Sequence, residues 1–138
     1  VPASLLRLDI DHFTTINDRH GHGIGDDVLR ALAQRMRDTL PAGGIRGRLG
    51  GDEFVVALAV PPDQALAHAE HLRAAVQALE FPDQPGLDIS ISVGLATPPP
   101  GGNLRSWLEA ADAALYRAKH GGRNRTETLQ PREPRVTP

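Results

Sequence analysis

The sequence has no cysteine, which excludes disulfides and thiolate metal sites. It has no apolar run long enough to span a bilayer and no signal-like segment at its start. A cytoplasmic setting is therefore expected for the domain, with membrane attachment of a longer protein left open. Strong charge of one sign is also missing, since 15 Lys and Arg face 17 Asp and Glu for a net charge of −2. Neither duplex nucleic acid nor an anionic membrane surface is a natural partner for such a chain, so any bound phosphate must be held by local groups. There are no internal repeats and no initiating methionine. Val1 stands directly before a strand-like run, and a piece of a longer protein is the expectation. What is present is one domain's worth of chain, 138 residues with 40% apolar and 23% charged.

Periodicity predicts a mixed α and β pattern. SLLRLDI (4–10) reads as a buried strand whose end carries Asp9 and Asp11, and HFTTIND (12–18) as a short helix followed by the glycine-rich connector GHGIG (21–25). A longer helix runs from Ile24 to Leu40, with Val28, Leu29, Leu32 and Met36 on its apolar face. Two strands, 45–49 and 53–60, are joined across Gly50-Gly51, a pair suited to a two-residue hairpin in which both turn positions need φ > 0. A helix follows from Pro61 to Leu79 with Leu66, Ala69, Leu72, Val76 and Leu79 as its buried stripe. LDISISVGLA (87–96) alternates as a strand, and Leu104–His120 reads as a helix stopped by Gly121-Gly122. The expected domain covers residues 1–128, and the proline- and charge-rich end, 129–138, is expected to be disordered.

The order β-α-α-β-β-α-β-α-β matches a split βαβ, an α+β ferredoxin-like or palm-type fold with a central antiparallel sheet flanked by helices. In that topology the turn carrying GGDEF lies at the sheet end where the first strand finishes, so Asp9 meets Asp52 and Glu53. Three carboxylates at one edge repel unless a cation neutralises them, and hard oxygen ligands select Mg²⁺ or Mn²⁺. Gly50 and Gly51 let an anionic group approach the turn backbone. Taken alone, acids beside a Gly-Gly turn are more often solvated hairpin residues, and the convergence with Asp9 is what shifts the balance. His12, His20 and His22 cluster in sequence without an obvious fourth zinc ligand, so a non-metal role is favoured. Trp107 and Tyr116 read as packing residues, and Arg48 as a structural or dimer-contact arginine beside the turn.

In several separated motifs the chain resembles the GGDEF domain family, the diguanylate cyclases. Gly50, Gly51, Asp52, Glu53 and Phe54 are the signature itself. LDIDHFTTINDRHGHGIGDDVL resembles the family's first strand and guanine-binding segment, ISVGLA a later strand, and AADAALYRAKHGGRNR the last helix and phosphate-binding turn. The resemblance covers Leu5 to Arg125 and implies condensation of two GTP into cyclic di-GMP with loss of pyrophosphate, at a transient two-fold dimer of half-sites. It implies Asp9, Asp52 and the Ile10 carbonyl as metal ligands. The same resemblance implies Glu53 as the group that would orient or deprotonate the 3′-hydroxyl, with contact to a second metal left open, and Asp52 and Glu53 as the catalytic pair. Asn17 and Asp26 would read guanine, as an amide and a carboxylate complement its O6, N1 and N2 edge. Their bland readings are a helix-terminal Asn and an N-cap Asp. Lys119, Arg123 and the backbone N–H groups of His12 and Phe13 would contact phosphates.

Three departures accompany the resemblance. Thr14 stands where the family usually has a lysine, PAGG (41–44) replaces the Arg-x-x-Asp of the inhibitory product site, and the D-x-L-T-G-L-type N-terminal stretch is absent. An upstream sensory or dimerisation domain is expected in the full-length protein. Two other readings stay open. One is a GGDEF module that binds GTP or cyclic di-GMP for regulation without catalysis. The other is a palm-type nucleotidyl transferase with a different substrate.

Overall fold

Leu5, Leu6, Leu8 and Ile10 make Ser4–Ile10 a central strand, β1, which is buried along its length except at the part-exposed Arg7. In the computed structural model, which describes residues 2–129, β1 is followed by α1 (Phe13–His20), α2 (His22–Thr39), β2 (Ile45–Arg48) and β3 (Glu53–Leu58). Then come α3 (Pro62–Gln77), β4 (Ile91–Ala96), α4 (Leu104–His120) and β5 (Arg125–Leu129). The strands form one sheet in the order β2-β3-β1-β4-β5. β1 pairs antiparallel with both β3 and β4, and β2 with β3, while β5 joins parallel to β4. The expected split βαβ with its central antiparallel strands is present. β5 adds a parallel edge, because the α4 crossover returns it alongside β4.

Register divides the side chains between two layers. Leu6, Leu8 and Ile10 of β1, Val56 and Leu58 of β3, and Ile91, Val93 and Leu95 of β4 share a core with α1, α2 and α3. On the other face Leu5, Val55, Ala57 and Ala96 pack under Ala111, Trp107 and Leu108 of α4. α4 can lie this close only because β4 has Gly94 beneath it: a Cβ there would stand 2.2 Å from Leu115 N and 2.3 Å from Ala111 O. Asn103 begins α4 with a reciprocal capping box to Ser106, and Trp107 Nε1 donates to Ala96 O at 2.8 Å, tying the first turn of α4 to β4.

Several expectations are corrected. No connector spans 21–25, since Gly21 alone, at φ 88, separates α1 from α2. β4 begins at Ile91 where 87 was expected. Leu87 and Ile89 are buried, yet β1 ends at Ile10 and offers no ladder beyond it, and Ser90 instead bonds to Asp11. The signature turn is longer than a two-residue hairpin, with β2 ending at Arg48 and β3 starting at Glu53, and neither Gly50 nor Gly51 has positive φ. β3 ends at Leu58, short of residue 60. In α3 it is Ala65 that is buried, with Leu66 turned to solvent, and Tyr116 of α4 is exposed and stacked on His120. The tail expectation falls, apart from Leu129 at the end of β5, outside the described residues. No helix among the described residues is long and apolar enough to cross a membrane.

Candidate active site

β1 and β3 run in opposite directions with Asp9 directly across from Glu53, so one antiparallel register places both carboxylates on the same, α4-covered face of the sheet. Asp52 precedes Glu53 on the turn. These three line a cavity of about 360 Å³ together with Ile10, Asp11, His12, Phe13, Thr14, Thr15, Lys119 and Arg123. The sheet end, the start of α1 and the end of α4 therefore meet as the topology requires.

Arg48 organises the signature turn. Its Nε donates to the carbonyls of Gly50 and Gly51 at 3.1 Å each, and its guanidinium lies 5.9 Å from the Phe54 ring centre. A backbone without side chains of its own is thereby held by a neighbouring fork of donors, and nothing lies within 4 Å of where a Cβ would stand on either glycine. The glycines leave the approach to the turn open.

The electrostatics are those of a site short of positive charge. Asp9 is buried, and its pKa is pushed up from 3.8 to about 6, first by desolvation and also by Asp52 and Asp11, while Lys119 opposes the rise. Asp52 is likewise raised, mainly by desolvation and also by Glu53, with Lys119 and the Ile10 backbone pulling the other way. Lys119 Nζ contacts Asp9 Oδ2 directly, whereas Asp9 Oδ1 is buried with no hydrogen-bond partner. Among the described residues no three carboxylates or histidines stand close enough to form a ready-made metal cage. The donor set nevertheless fits a hard divalent cation. An orphaned buried carboxylate oxygen and a second destabilised carboxylate are what such an ion would relieve.

Glu53 does not point at its acidic neighbours alone. Arg7 Nη2 donates to its Oε2 at 3.3 Å, and Arg7 Nε lies 3.6 Å from Asp112 Oδ1 on α4. The sequence signal for this is an arginine set two residues before Asp9 in an otherwise apolar strand, and a reading by motif passes over it. Asp11, which the sequence marks only as a second acid at the strand end, is buried. It accepts from Ser90 Oγ and Ser92 Oγ at 2.6 Å each and from the Asn124 backbone N–H at 3.0 Å. Those bonds hold a turn in which Arg123 and Asn124 both take left-handed backbone, at φ 62 and 47. Arg123 reaches the cavity from that turn.

His12 caps α1 in left-handed conformation at φ 58, with Phe13 as the first helical residue. The helix end leaves the N–H groups of its first turn free toward the cavity. Asn17 and Asp26 do not line this cavity. Asn17 sits in the last part of α1 with Oδ1 buried and unpartnered, against Gly25 of α2, where an added Cβ would come within 1.8 Å of that oxygen. Sequence reasoning missed Gly25 as a residue of this region, although its place in GHGIGDD is visible. Asp26 is exposed inside α2, so the N-cap reading is corrected: Gly21 holds that position.

A family described as "Diguanylate cyclase, GGDEF domain" matches residues 1–125. The chain is 42% identical over 127 residues to the "Probable diguanylate cyclase DgcC" of Escherichia coli strain K12, covering 91% of this chain and 34% of that protein. It is 42% identical over 131 residues to the "Response regulator PleD" of Caulobacter vibrioides, covering 89% of this chain and 28% of that one. It thus spans about a third or less of these relatives' length. Among solved structures, the active GGEEF domain of a diguanylate cyclase from Vibrio cholerae superposes with a TM-score of 0.88 at 32% identity, covering 96% of this chain and 85% of the other. The GGDEF domain of DgcB from Caulobacter crescentus, in complex with c-di-GMP, gives 0.84 at 34% identity, with 91% and 77% covered.

Proposed function

The chain belongs to the GGDEF domain family of diguanylate cyclases, and from that premise we propose that it condenses two GTP into cyclic di-GMP and two pyrophosphates. The observation that carries the proposal is the Asp9–Glu53 register pair, with Asp52 beside it and Lys119 and Arg123 lining the same cavity. Carboxylates that can hold a cation and Lys and Arg side chains that can hold phosphate line one cavity, the combination that phosphoryl transfer to a nucleotide α-phosphate uses.

Asp9, Asp52 and the Ile10 carbonyl would hold a divalent ion, Mg²⁺ or Mn²⁺, which when bound screens the triphosphate and stabilises charge on the leaving group. Glu53 accepts the proton of the attacking 3′-hydroxyl. The new bond joins that oxygen to the α-phosphorus, and the bond to pyrophosphate breaks with its electrons going to the departing oxygen. Arg123 and Lys119 receive the departing charge, and the first N–H groups of α1, from Phe13 onward, donate to phosphate oxygens. Asn17 and Asp26 select guanine, the buried Asn17 Oδ1 being an acceptor in need of a donor. One domain supplies one set of these groups, so both bonds of the product need two copies in a two-fold arrangement, each presenting one GTP to the other. The proposed setting is cytoplasmic, with a sensory or dimerisation domain elsewhere in the full-length protein bringing the copies together.

The test is incubation with GTP and Mg²⁺ followed by identification of the nucleotide product, beside Glu53→Gln and beside ATP alone. Cyclic di-GMP from the native chain and none from Glu53→Gln is expected. A second reading, a module that binds GTP or cyclic di-GMP without turnover, is favoured by Thr14, which lines the cavity where the family usually carries a lysine. Binding without product in the same incubation would establish it and refute the first.

A further inference from the structure

Two cations divide the acids of this site. Lys119 engages Oδ2 of Asp9 and leaves Oδ1 without a partner. Arg7 engages Oε2 of Glu53 from the same face of β1, two residues earlier. α4 occupies the space over Gly94, which neighbours Arg7 on the β4 side, so the guanidinium extends the other way, toward β3. Asp112 of α4 braces it from above at 3.6 Å.

This arrangement is not an economical way to pack a helix on a sheet. The Arg7 side chain is 20% exposed, and its Nε is buried without a hydrogen-bond partner. An aliphatic residue under a helix is commonly as stabilising as a half-buried ion pair, or more so. Glu53 at 35% exposure and Asp112 at 60% could each be solvated without Arg7. What an aliphatic residue could not do is set the direction of the Glu53 carboxylate. The guanidinium donates one bond to Oε2, which draws that oxygen toward β1 and leaves Oε1 without a partner among the described residues.

We propose that Arg7 is a positioning residue that keeps Glu53 out of the cation's coordination shell and turns its free oxygen to the incoming 3′-hydroxyl. The cation is left to Asp9, Asp52 and the Ile10 carbonyl. The second-metal contact left open for Glu53 is thereby closed, and Glu53 serves as base alone. This inference rests on the cyclase reading for the hydroxyl, but its claim on Glu53 itself does not.

The experiment is a double-mutant cycle of Arg7→Met and Glu53→Gln, with Arg7→Lys alongside, read by Mn²⁺ titration of the nucleotide-free protein and by steady-state kinetics. Released by Arg7→Met, Glu53 joins the ion. Mn²⁺ binding should therefore tighten roughly 3- to 10-fold in Arg7→Met, and most of that gain should vanish when Glu53→Gln is added. With GTP, kcat should fall at least about tenfold while KM stays within about twofold, because the interaction lost is one realised in the transition state. Arg7→Lys, which keeps the charge without the fork, should fall between. Melting temperatures of the Arg7 variants should lie near that of the native chain, which separates positioning from a folding defect. Tightening of equal size whether or not Glu53 has been replaced, unchanged Mn²⁺ affinity, or kcat preserved in Arg7→Met would each overturn the proposal. If the native chain yields no cyclic dinucleotide while the Mn²⁺ coupling is present, the cyclase reading fails and the grip of Arg7 on Glu53 stands. Product formed without coupling refutes the grip alone.

Discussion

Replacing Asp9 with Asn should make the cation-free protein more stable while removing its response to divalent ions. The carboxyl of Asp9 is buried, and its pKa is raised from 3.8 to about 6. Below pH 3.8 the folded and unfolded chains both hold the proton, so the site carries no penalty. As pH rises from 3.8 to about 6, the unfolded chain releases its proton while the folded one retains it, and the fold loses stability until both are ionised. Each pKa unit is worth about 1.36 kcal/mol. The change from 3.8 to about 6 therefore sets a ceiling of about 3 kcal/mol on the cost of the charged group at neutral pH. Solvent at the cavity mouth screens part of it, which leaves roughly 1–3 kcal/mol. Loss of the Lys119 contact is already contained in the net shift, and Lys119, about a third exposed, can return to water. For a domain of this size the gain corresponds to an upward shift in Tm of roughly 3 to 10 °C. The assay is thermal unfolding in chelator at pH 5 and pH 7.5. On the Asp9 contribution the native chain should melt higher at pH 5 than at pH 7.5, and Asp9→Asn should close most of that gap. Adding Mg²⁺ or Mn²⁺ at pH 7.5 should raise the Tm of the native chain and not that of the variant. An Asp9→Asn protein that melts below the native chain at pH 7.5 in chelator would refute the reasoning, because it would mean that the Lys119 contact outweighs desolvation.

Gly25→Ala should leave folding nearly neutral, since Ala is up to about 1 kcal/mol better than Gly inside a helix, while its Cβ displaces the Asn17 amide; a raised KM for GTP and weakened preference over ATP at near-native Tm is the expected result, and native kinetics would count against Asn17. Gly94→Ala pushes a Cβ into the backbone of α4, which cannot yield as a side chain can, so a loss of roughly 1–3 kcal/mol or more in denaturant unfolding is expected, together with reduced activity as Lys119 moves. Specific activity per monomer should rise roughly in proportion to protein concentration while dimers are scarce, and fusion to a coiled coil should raise it further; constant activity from a species shown by sizing to stay monomeric would contradict the two-half-site mechanism.

The local signals were legible because they depend on neighbours in sequence. A short apolar run located β1, alternation covered all of β4 but overran its start, period 3.6 located α2 and α3, and Gly121 marked the end of α4. Where local pattern and ladder disagreed, the ladder decided. Leu87 and Ile89 alternate like a strand yet have no strand to pair with, and Leu66 fits an apolar stripe on α3 whose buried face is instead centred on Ala65 and Ala69. The turn carrying GGDEF was misread for a related reason. Two glycines suggest positive φ, but these two are free of it, and their conformation is held by Arg48 through their carbonyls.

By itself the sequence determined the element order, the motif residues, the guanine-reading candidates and hence the family, since each is written in contiguous stretches. Tertiary structure alone decided which charges meet. Arg7 and Glu53 are 46 residues apart and Asp11 and the Asn124 amide 113 apart, and no periodicity specifies a partner at such distances. Alternation shows that Arg7 and Asp9 share a face, but only the pairing of β1 with β3 and the seating of α4 over Gly94 decide that this face holds Glu53, Asp112 and Lys119. The physical reason is that a carboxylate's pKa and direction depend on desolvation and on charges within a few ångströms, and those distances exist only once the sheet has formed and the helix has closed over it.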